Sequence, residues 1–112
     1  MELVEVIVYV RDMERAIAFY RDTLGLELEF ESPNWSSFRT GACTFALHAT
    51  ERREPGLGEP DPTFSVTDPD AERERLAGAG VDVSEIREPA PGVRVFDAWD
   101  PEGNRFSLEF RA

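Results

Sequence analysis

The order of apolar and polar residues predicts a first module of one strand, one helix and three further strands. Residues 4–10 are rich in β-branched side chains, which is typical of a strand. Asp12 is placed to cap a helix whose apolar residues recur at helical spacing as far as Tyr20. Gly25 ends that helix, because glycine is favoured just past a helix end. Strands are then predicted over 26–30, 35–40 and 43–49.

The same order restarts after residues 51–60, a segment rich in charge, glycine and proline that is typical of a linker. A strand over 63–66 leads to Asp68-Pro69, a helix cap followed by proline at the first helical position. The second helix is predicted to run to Gly80. The remaining elements are strands over 81–86, 94–99 and 105–110, with a hairpin turn at 101–104.

The two halves repeat one another in sequence. Val10-Arg11-Asp12 corresponds to Val66-Thr67-Asp68, and Phe45-Ala46-Leu47-His48 corresponds to Phe106-Ser107-Leu108-Glu109. An internal repeat indicates two copies of one structural unit, neither of which could bury both of its faces alone. We therefore predict a single α+β domain over 1–112. Two βαβββ modules in tandem, about 1–50 and 61–112, would form a curved mixed sheet around a cleft.

The amino-acid composition excludes several classes of function and partner, and it says less about the fold. The net charge is -11, from 23 acidic and 12 basic residues. Such a surface repels phosphate backbones and anionic lipids, so we expect neither a nucleic acid nor a membrane partner, but it would attract a cationic small molecule. Every basic residue is arginine, which excludes Schiff-base chemistry, and the single Cys43 excludes an intrachain disulfide. Without a signal sequence or a membrane span, the expected location is the cytoplasm.

Three segments carry a family resemblance. Val10-Arg11-Asp12 through Leu24-Gly25-Leu26, and the second-module segments Pro91 to Phe96 and Asp100 to Phe106, resemble the signatures of the vicinal oxygen chelate superfamily. That group holds the glyoxalases, bleomycin-resistance proteins and extradiol dioxygenases. The resemblance covers nearly the whole chain and implies the fold. It does not imply one function, since the superfamily includes several enzyme classes and non-catalytic antibiotic-binding proteins.

The resemblance also implies four metal-ligand positions, on the first and last strand of each module. In this chain they hold Glu5, Ala46, Asp61 and Ser107. Alanine cannot ligate a metal and a neutral serine is a poor ligand, while a chain with one histidine cannot build a two-histidine iron centre. We expect no metal cofactor, although two carboxylates could weakly hold a hard cation such as Mg²⁺. Asp61, between two prolines, is also readily explained as an ordinary loop residue.

Strand alternation predicts which side chains line the cleft. Glu5, Ile7 and Tyr9 should face it, opposite Val4, Val6, Val8 and Val10 against the helix. Ala46 and Ser107 should also face it, with Phe110 packed inward. The predicted ligand-binding residues are Glu5, Tyr9, Trp35, His48, Ser65, Ser107 and Glu109. The candidates for moving a proton are His48, Glu5 and Glu109, although a lone histidine at a strand end is more often an ordinary polar surface residue.

An aromatic cleft with acidic side chains suits a flat or cationic organic molecule, through stacking and cation–π attraction. The favoured function is a non-catalytic protein of the glyoxalase and bleomycin-resistance type that sequesters such a ligand as a homodimer. The alternative is a glyoxalase-type lyase or isomerase with a non-standard metal shell or none, and a third is a module that binds a partner protein. Whether the protein is an enzyme is left open.

Overall fold

The computed structural model describes residues 5–50 and 61–112, in two compact units, Met1–Pro60 and Asp61–Ala112. Each unit contains one sheet, so the predicted α+β class is confirmed. The linker predicted over 51–60, and Val4 of the first predicted strand, lie outside the described residues. A cleft formed by both modules stays a prediction.

The first unit follows the predicted order of elements. Its strands run in the sheet as β1-β4-β3-β2, with β1 and β4 parallel and the other pairs antiparallel. The elements are β1 (Glu5–Val10), α1 (Met13–Ala18), a π-helical turn (Phe19–Thr23), β2 (Glu27–Glu31), β3 (Trp35–Arg39) and β4 (Thr44–Ala49).

The prediction of the first helix is correct at the start of the helix and wrong in its second half. The Asp12 carboxylate accepts a hydrogen bond from the Arg15 backbone N–H at 3.1 Å, as a cap should. After Ala18, however, the helix widens into the π-helical turn, in which the Leu24 N–H donates to the Phe19 carbonyl at 2.9 Å. Apolar spacing cannot distinguish the two forms, because both bury Phe19 and Tyr20. Gly25 ends the segment at a φ of +90°, as predicted.

The core of the first unit lies between this helical segment and one face of the sheet. Tyr20 is fully buried, with its ring 4.8 Å from that of Phe45 and 6.1 Å from that of Phe38. Val8 and Val10 are buried as well. The predicted alternation along β1 is therefore confirmed for these two valines, and Tyr9 between them is exposed.

The second unit has one strand more than predicted. Its sheet runs β5-β9-β8-β6, and β7 also pairs with β8. Strands β5 and β9 are parallel, and the other pairs are antiparallel. The elements are β5 (Thr63–Ser65), α2 (Pro69–Gly78), β6 (Asp82–Val83), β7 (Arg87–Ala90), β8 (Val93–Trp99) and β9 (Arg105–Arg111).

The predicted strand over 81–86 is a strand only at Asp82–Val83, and the additional strand β7 (Arg87–Ala90) follows in a segment for which no strand was predicted. The Ser84 hydroxyl accepts from the Asp97 N–H at 2.8 Å, and its backbone N–H donates to the Asp97 carbonyl at 2.8 Å. The Arg73 guanidinium from α2 donates to the Ser84 carbonyl at 2.7 Å. The side chain of Ser84 thus takes the place of one backbone hydrogen bond between strands. The next strand, β7, begins only at Arg87.

The second helix packs in the same manner as the first. The Asp68 carboxylate accepts from the Ala71 N–H at 3.1 Å, and Pro69 occupies the first turn, as predicted. Leu76 is fully buried together with Phe96 and Phe106 of the sheet. Phe110, predicted to pack inward, is only half-buried. Neither helix among residues 5–50 and 61–112 is long and apolar enough to cross a membrane.

Candidate functional site

The two sheets repeat the same strand register. Ile7 of β1 lies opposite Ala46 of β4, and Thr63 of β5 lies opposite Ser107 of β9. Two residues further along these strands, Tyr9 pairs with His48 and Ser65 pairs with Glu109. The correspondence between the two halves that the sequence indicated is therefore present in the backbone pairing. It places Tyr9 beside His48 in the first sheet and Ser65 beside Glu109 in the second.

In the first sheet, three predicted ligand-binding residues form a row across three neighbouring strands. Tyr9 of β1 pairs with His48 of β4, which pairs with Trp35 of β3. The His48 ring lies 5.4 Å from the Tyr9 ring and 5.9 Å from the Trp35 ring, the latter edge to face. Tyr9 is 44% exposed and the other two are half-buried. We call these three residues the aromatic row.

His48 is oriented by its own backbone neighbour. Its Nδ1 lies 3.0 Å from the Ala49 carbonyl oxygen, which can only accept a hydrogen bond. Nδ1 therefore carries the proton in the neutral ring, and Nε2 is left as the hydrogen-bond acceptor. The aromatic row can thus accept one hydrogen bond, through Nε2 of His48, the residue that lies between Tyr9 and Trp35.

Glu5 does not join the aromatic row. It is exposed at the far end of β1, opposite Thr44, and lies four residues from Tyr9 on the same face of the strand. Four residues of strand span about 13 Å, so its carboxylate could contact only the far end of a long ligand.

The second sheet carries a cluster of charged and polar side chains that the sequence analysis did not anticipate. The Ser107 hydroxyl donates to Asp97 Oδ1 at 2.8 Å and lies 3.3 and 3.4 Å from the two oxygens of Asp61. Arg87 donates two hydrogen bonds to Asp97, at 3.1 and 3.0 Å. Arg105 Nε lies 3.3 Å from Asp61 Oδ2. We call these five residues the ion-pair cluster.

The ion-pair cluster sets the protonation of Asp97. Its side chain is only 14% exposed, and burial by itself raises the pKa of this carboxyl. Hydrogen bonds from Arg87 and Ser107, with the positive charges of Arg87 and Arg105, outweigh burial and hold the pKa of Asp97 below its ordinary value. The hydrogen bond to Asp97 in turn raises the pKa of Arg87. The pair therefore stays ionised at neutral pH.

Some predicted site residues are placed differently from expectation. Ala46 is fully buried, and Ser107 is 4% exposed rather than open to a cavity. Ser65 is exposed. Glu109 is half-buried, and its carboxylate pairs with Arg111, whose Nε is 3.1 Å away. This ion pair makes Glu109 a weaker candidate for moving a proton than an unpaired acid would be.

Asp97 and Arg87 were missed by sequence reasoning. The signal for Asp97 was present, because it is a charged residue in the middle of the otherwise apolar run Val95-Phe96-Asp97-Ala98. A carboxylate at such a position needs a partner. No comparable signal marks Arg87, which is brought to Asp97 only by the extra strand β7.

The residues at the metal-ligand positions do not fit a metal ion. Ala46 offers no donor atom, and the oxygens of Asp61 and Ser107 are engaged within the ion-pair cluster. Among residues 5–50 and 61–112, no three histidine, cysteine or acidic side chains are grouped so that they could hold a metal. No step of a reaction can therefore be derived through a metal here.

A groove of about 850 Å³ lies elsewhere in the first unit, beside the start of α1 and the turn between β2 and β3. Met13, Ile17 and Pro33 supply its apolar lining, and Arg11 and Glu31 supply charge. None of the predicted ligand-binding residues lines this groove. It therefore adds nothing to the site formed by the aromatic row.

The protein is an α+β protein built from two repeated modules, each with one sheet and with the same strand register. Comparison with known families identifies the family to which it belongs. The family model of the Glyoxalase/Bleomycin resistance protein/Dioxygenase superfamily matches residues 2–108. The chain belongs to this superfamily, as the sequence resemblance indicated.

Solved structures with this fold include both binding proteins and enzymes. A glyoxalase family protein from Bacillus anthracis is 24% identical, with a TM-score of 0.85 over 100% of this chain and 96% of that one. An antibiotic binding protein from Streptomyces sp. CB03234 is 24% identical, with a TM-score of 0.84 over 100% and 97%. Lactoylglutathione lyase from Agrobacterium tumefaciens is 23% identical, with a TM-score of 0.80 over 96% and 92%. At these identities the likeness shows the fold alone. No curated protein sequence matches this chain.

Proposed function

We propose that this protein binds a small organic molecule on the aromatic row and does not transform it. The observation that carries the proposal is the alignment of Tyr9, His48 and Trp35 on three adjacent strands, with ring centroids 5.4 and 5.9 Å apart. Large aromatic rings that remain partly exposed side by side offer a stacking surface to a flat ligand. The free Nε2 of His48 would accept a hydrogen bond from an N–H or O–H group of that ligand.

The charge of the chain favours a cationic ligand. The net charge of -11 raises the local concentration of cations near the surface, and tyrosine and tryptophan faces attract them further. A ligand that extends about 13 Å along β1 would also reach the carboxylate of Glu5. The expected ligand class is therefore a flat organic cation that bears a hydrogen-bond donor.

The antibiotic binding protein from Streptomyces sp. CB03234 lends support, because it shows that a chain with this fold can serve as a binding protein. Flat cationic antibiotics fall within the ligand class proposed here, and bleomycin-like compounds belong in the first screen. The proposal that this chain also binds a small molecule is based on the aromatic row and not on the structural similarity to that protein.

Tryptophan fluorescence tests the proposal, because the chain has two tryptophans, Trp35 and Trp99, in different units. In the variant Trp99→Phe only Trp35 emits, and a flat cationic ligand should still quench the signal. In the variant Trp35→Phe only Trp99 emits, and saturable quenching should disappear. The pair thus reports which tryptophan lies beside the ligand.

Affinity should also depend on the neighbouring ring. Replacing Tyr9 by alanine should weaken binding by about 0.5 to 2 kcal/mol, the range for a lost cation–π contact. The matched control is Phe30→Ala, which removes another exposed aromatic ring from the same sheet. Equal losses in both variants, or no quenching of Trp35 by any compound of the class, would overturn the proposed site.

A second candidate function is a glyoxalase-type lyase or isomerase in which His48 moves a proton. The orientation of its ring favours this candidate, since Nε2 is left as the atom able to accept a proton. Incubation with glutathione and methylglyoxal, followed by chromatography for lactoylglutathione, tests it directly, because formation of this thioester is the favourable direction of the reaction. Turnover that is lost in His48→Gln would establish catalysis and displace the binding role, whereas binding without turnover supports sequestration.

A further inference from the structure

We propose that two arginine guanidinium groups replace a divalent cation at the ligand position of the second sheet. Asp61 and Ser107 occupy the two positions where the family resemblance implies metal ligands, and strand pairing brings them together. Arg87 and Arg105 reach the same place from β7 and β9. All five members of the ion-pair cluster belong to the second unit.

The first step concerns the two carboxylates. Asp97 and Asp61 both approach the hydroxyl of Ser107, at 2.8 Å and at 3.3 to 3.4 Å. A hydroxyl has one proton, and the shorter distance assigns it to Asp97. The carboxylate of Asp61 must therefore be neutralised by another group, because two ionised carboxylates at one place repel each other.

The second step concerns the positive charges. Arg87 holds both oxygens of Asp97, at 3.0 and 3.1 Å, in a two-pronged ion pair. Arg105 holds Asp61 through Nε at 3.3 Å. Two guanidinium charges thus balance two carboxylate charges, which is the balance that one divalent cation would otherwise supply.

The third step concerns the exclusion of a divalent cation from this position. A hard cation would bind through the carboxylate oxygens, but those of Asp97 already accept hydrogen bonds from Arg87, and Asp61 already forms an ion pair with Arg105. Arginine stays protonated in proteins, so it cannot leave the position by losing its proton as lysine or histidine could. The arginines therefore keep the second sheet free of divalent metal and supply the cross-link between β7, β8, β9 and the segment that leads into β5.

The test measures Mn²⁺ binding to the full chain by electron paramagnetic resonance and calorimetry. The double variant Arg87→Gln/Arg105→Gln should bind Mn²⁺ at least about tenfold more tightly than wild type, since two carboxylates and a hydroxyl are then released. Adding Asp97→Asn to the double variant should abolish the gain. Chelator should leave the melting temperature of the wild type unchanged.

The matched control is Arg75→Gln, which removes one positive charge from an exposed pair with Glu72 on α2 of the same unit. A gain there equal to that of the double variant would overturn the proposal, since it would reflect net charge alone. Wild type that binds Mn²⁺ as tightly as the double variant, or that melts earlier in chelator, would also overturn it.

A variant that keeps one arginine guards against a folding defect. Arg105 is 55% exposed, so Arg105→Gln should retain the circular dichroism spectrum of the wild type. It frees Asp61 beside Ser107, and Mn²⁺ affinity should rise several-fold. A folded Arg105→Gln with no gain in affinity would overturn the assignment of Arg105.

Discussion

The hydroxyl of Ser107 stabilises the second sheet chiefly through its short hydrogen bond to Asp97. Its side chain is buried, and its hydroxyl donates to Asp97 at 2.8 Å. A hydrogen bond to a charged group contributes about 1.5 to 3 kcal/mol, so Ser107→Ala should lower the free energy of unfolding by about that amount in urea. Ser65→Ala, at an exposed position of β5, should change it by less than about 0.5 kcal/mol. Equal effects would mean that the hydroxyl of Ser107 does not stabilise the fold.

The ionisation of Asp97 should make stability depend on acid pH. An unfolded aspartate has a pKa of about 3.9, and the pKa of Asp97 lies lower in the folded chain. Below about pH 5 the unfolded chain therefore binds more protons than the folded one, and stability falls as the pH falls. The stabilisation from Asp97 is complete above this window and is lost as the pH drops through the folded pKa.

Chemical denaturation between about pH 3 and pH 7 checks this expectation. Asp97→Asn should lower stability at neutral pH and flatten its decline in acid. Asp82→Asn, which changes an exposed residue on β6, should leave the decline unchanged. A slope that is the same in wild type and Asp97→Asn would contradict the argument.

Among the elements, the π-helical turn decides how the first helix meets its sheet. Tyr20 is 1% exposed and contacts the rings of Phe38 and Phe45. Tyr20→Ala should therefore cost about 3 to 5 kcal/mol of unfolding free energy, the range for deleting a buried aromatic side chain. Phe30→Ala on β2, where the side chain is 54% exposed, should cost much less. Thermal melts of both variants compare the two, and a loss for Tyr20→Ala below that for Phe30→Ala would contradict the packing described here.

The interruption between β6 and β7 shows a limit of pattern reading at the scale of an element. Val81, Val83 and Ile86 favour a strand over 81–86, but only Asp82 and Val83 of that segment pair with β8. The gap exists because Ser84 bonds the backbone of Asp97 with its side chain. A side chain that competes with the ladder can be recognised only once its partner strand is in place.

At the scale of the whole molecule, we expect a homodimer. Sheets of four and five strands leave edge strands, and a two-fold partner commonly covers such edges. Light scattering at micromolar concentration should then give twice the chain mass of 12.6 kDa. Because the net charge of -11 opposes association, the dimer should be favoured by added salt. A mass of 12.6 kDa at all concentrations and salt levels would contradict the expectation.

The sequence by itself determined the class of fold and the order of elements in the two repeated modules. Local periodicity, helix caps and the internal repeat are properties of neighbouring residues, so they could be read without knowing the partners. The matched register of Ile7 with Ala46 and of Thr63 with Ser107 follows from that repeat. The placement of Tyr9 and His48 on one face was likewise available from strand alternation, whereas Trp35 was proposed only as an aromatic surface.

Tertiary structure alone decided what those residues contact. It separated Glu5 from the aromatic row, buried Ala46 and Ser107, and paired Glu109 with Arg111. It also assembled the ion-pair cluster, whose members Asp61, Arg87 and Asp97 lie on different segments of the second unit. The physical reason is that a charged group is stabilised by whichever partner the sheet brings within about 3 Å. That partner depends on the order and register of strands far apart in the chain, which no local pattern records.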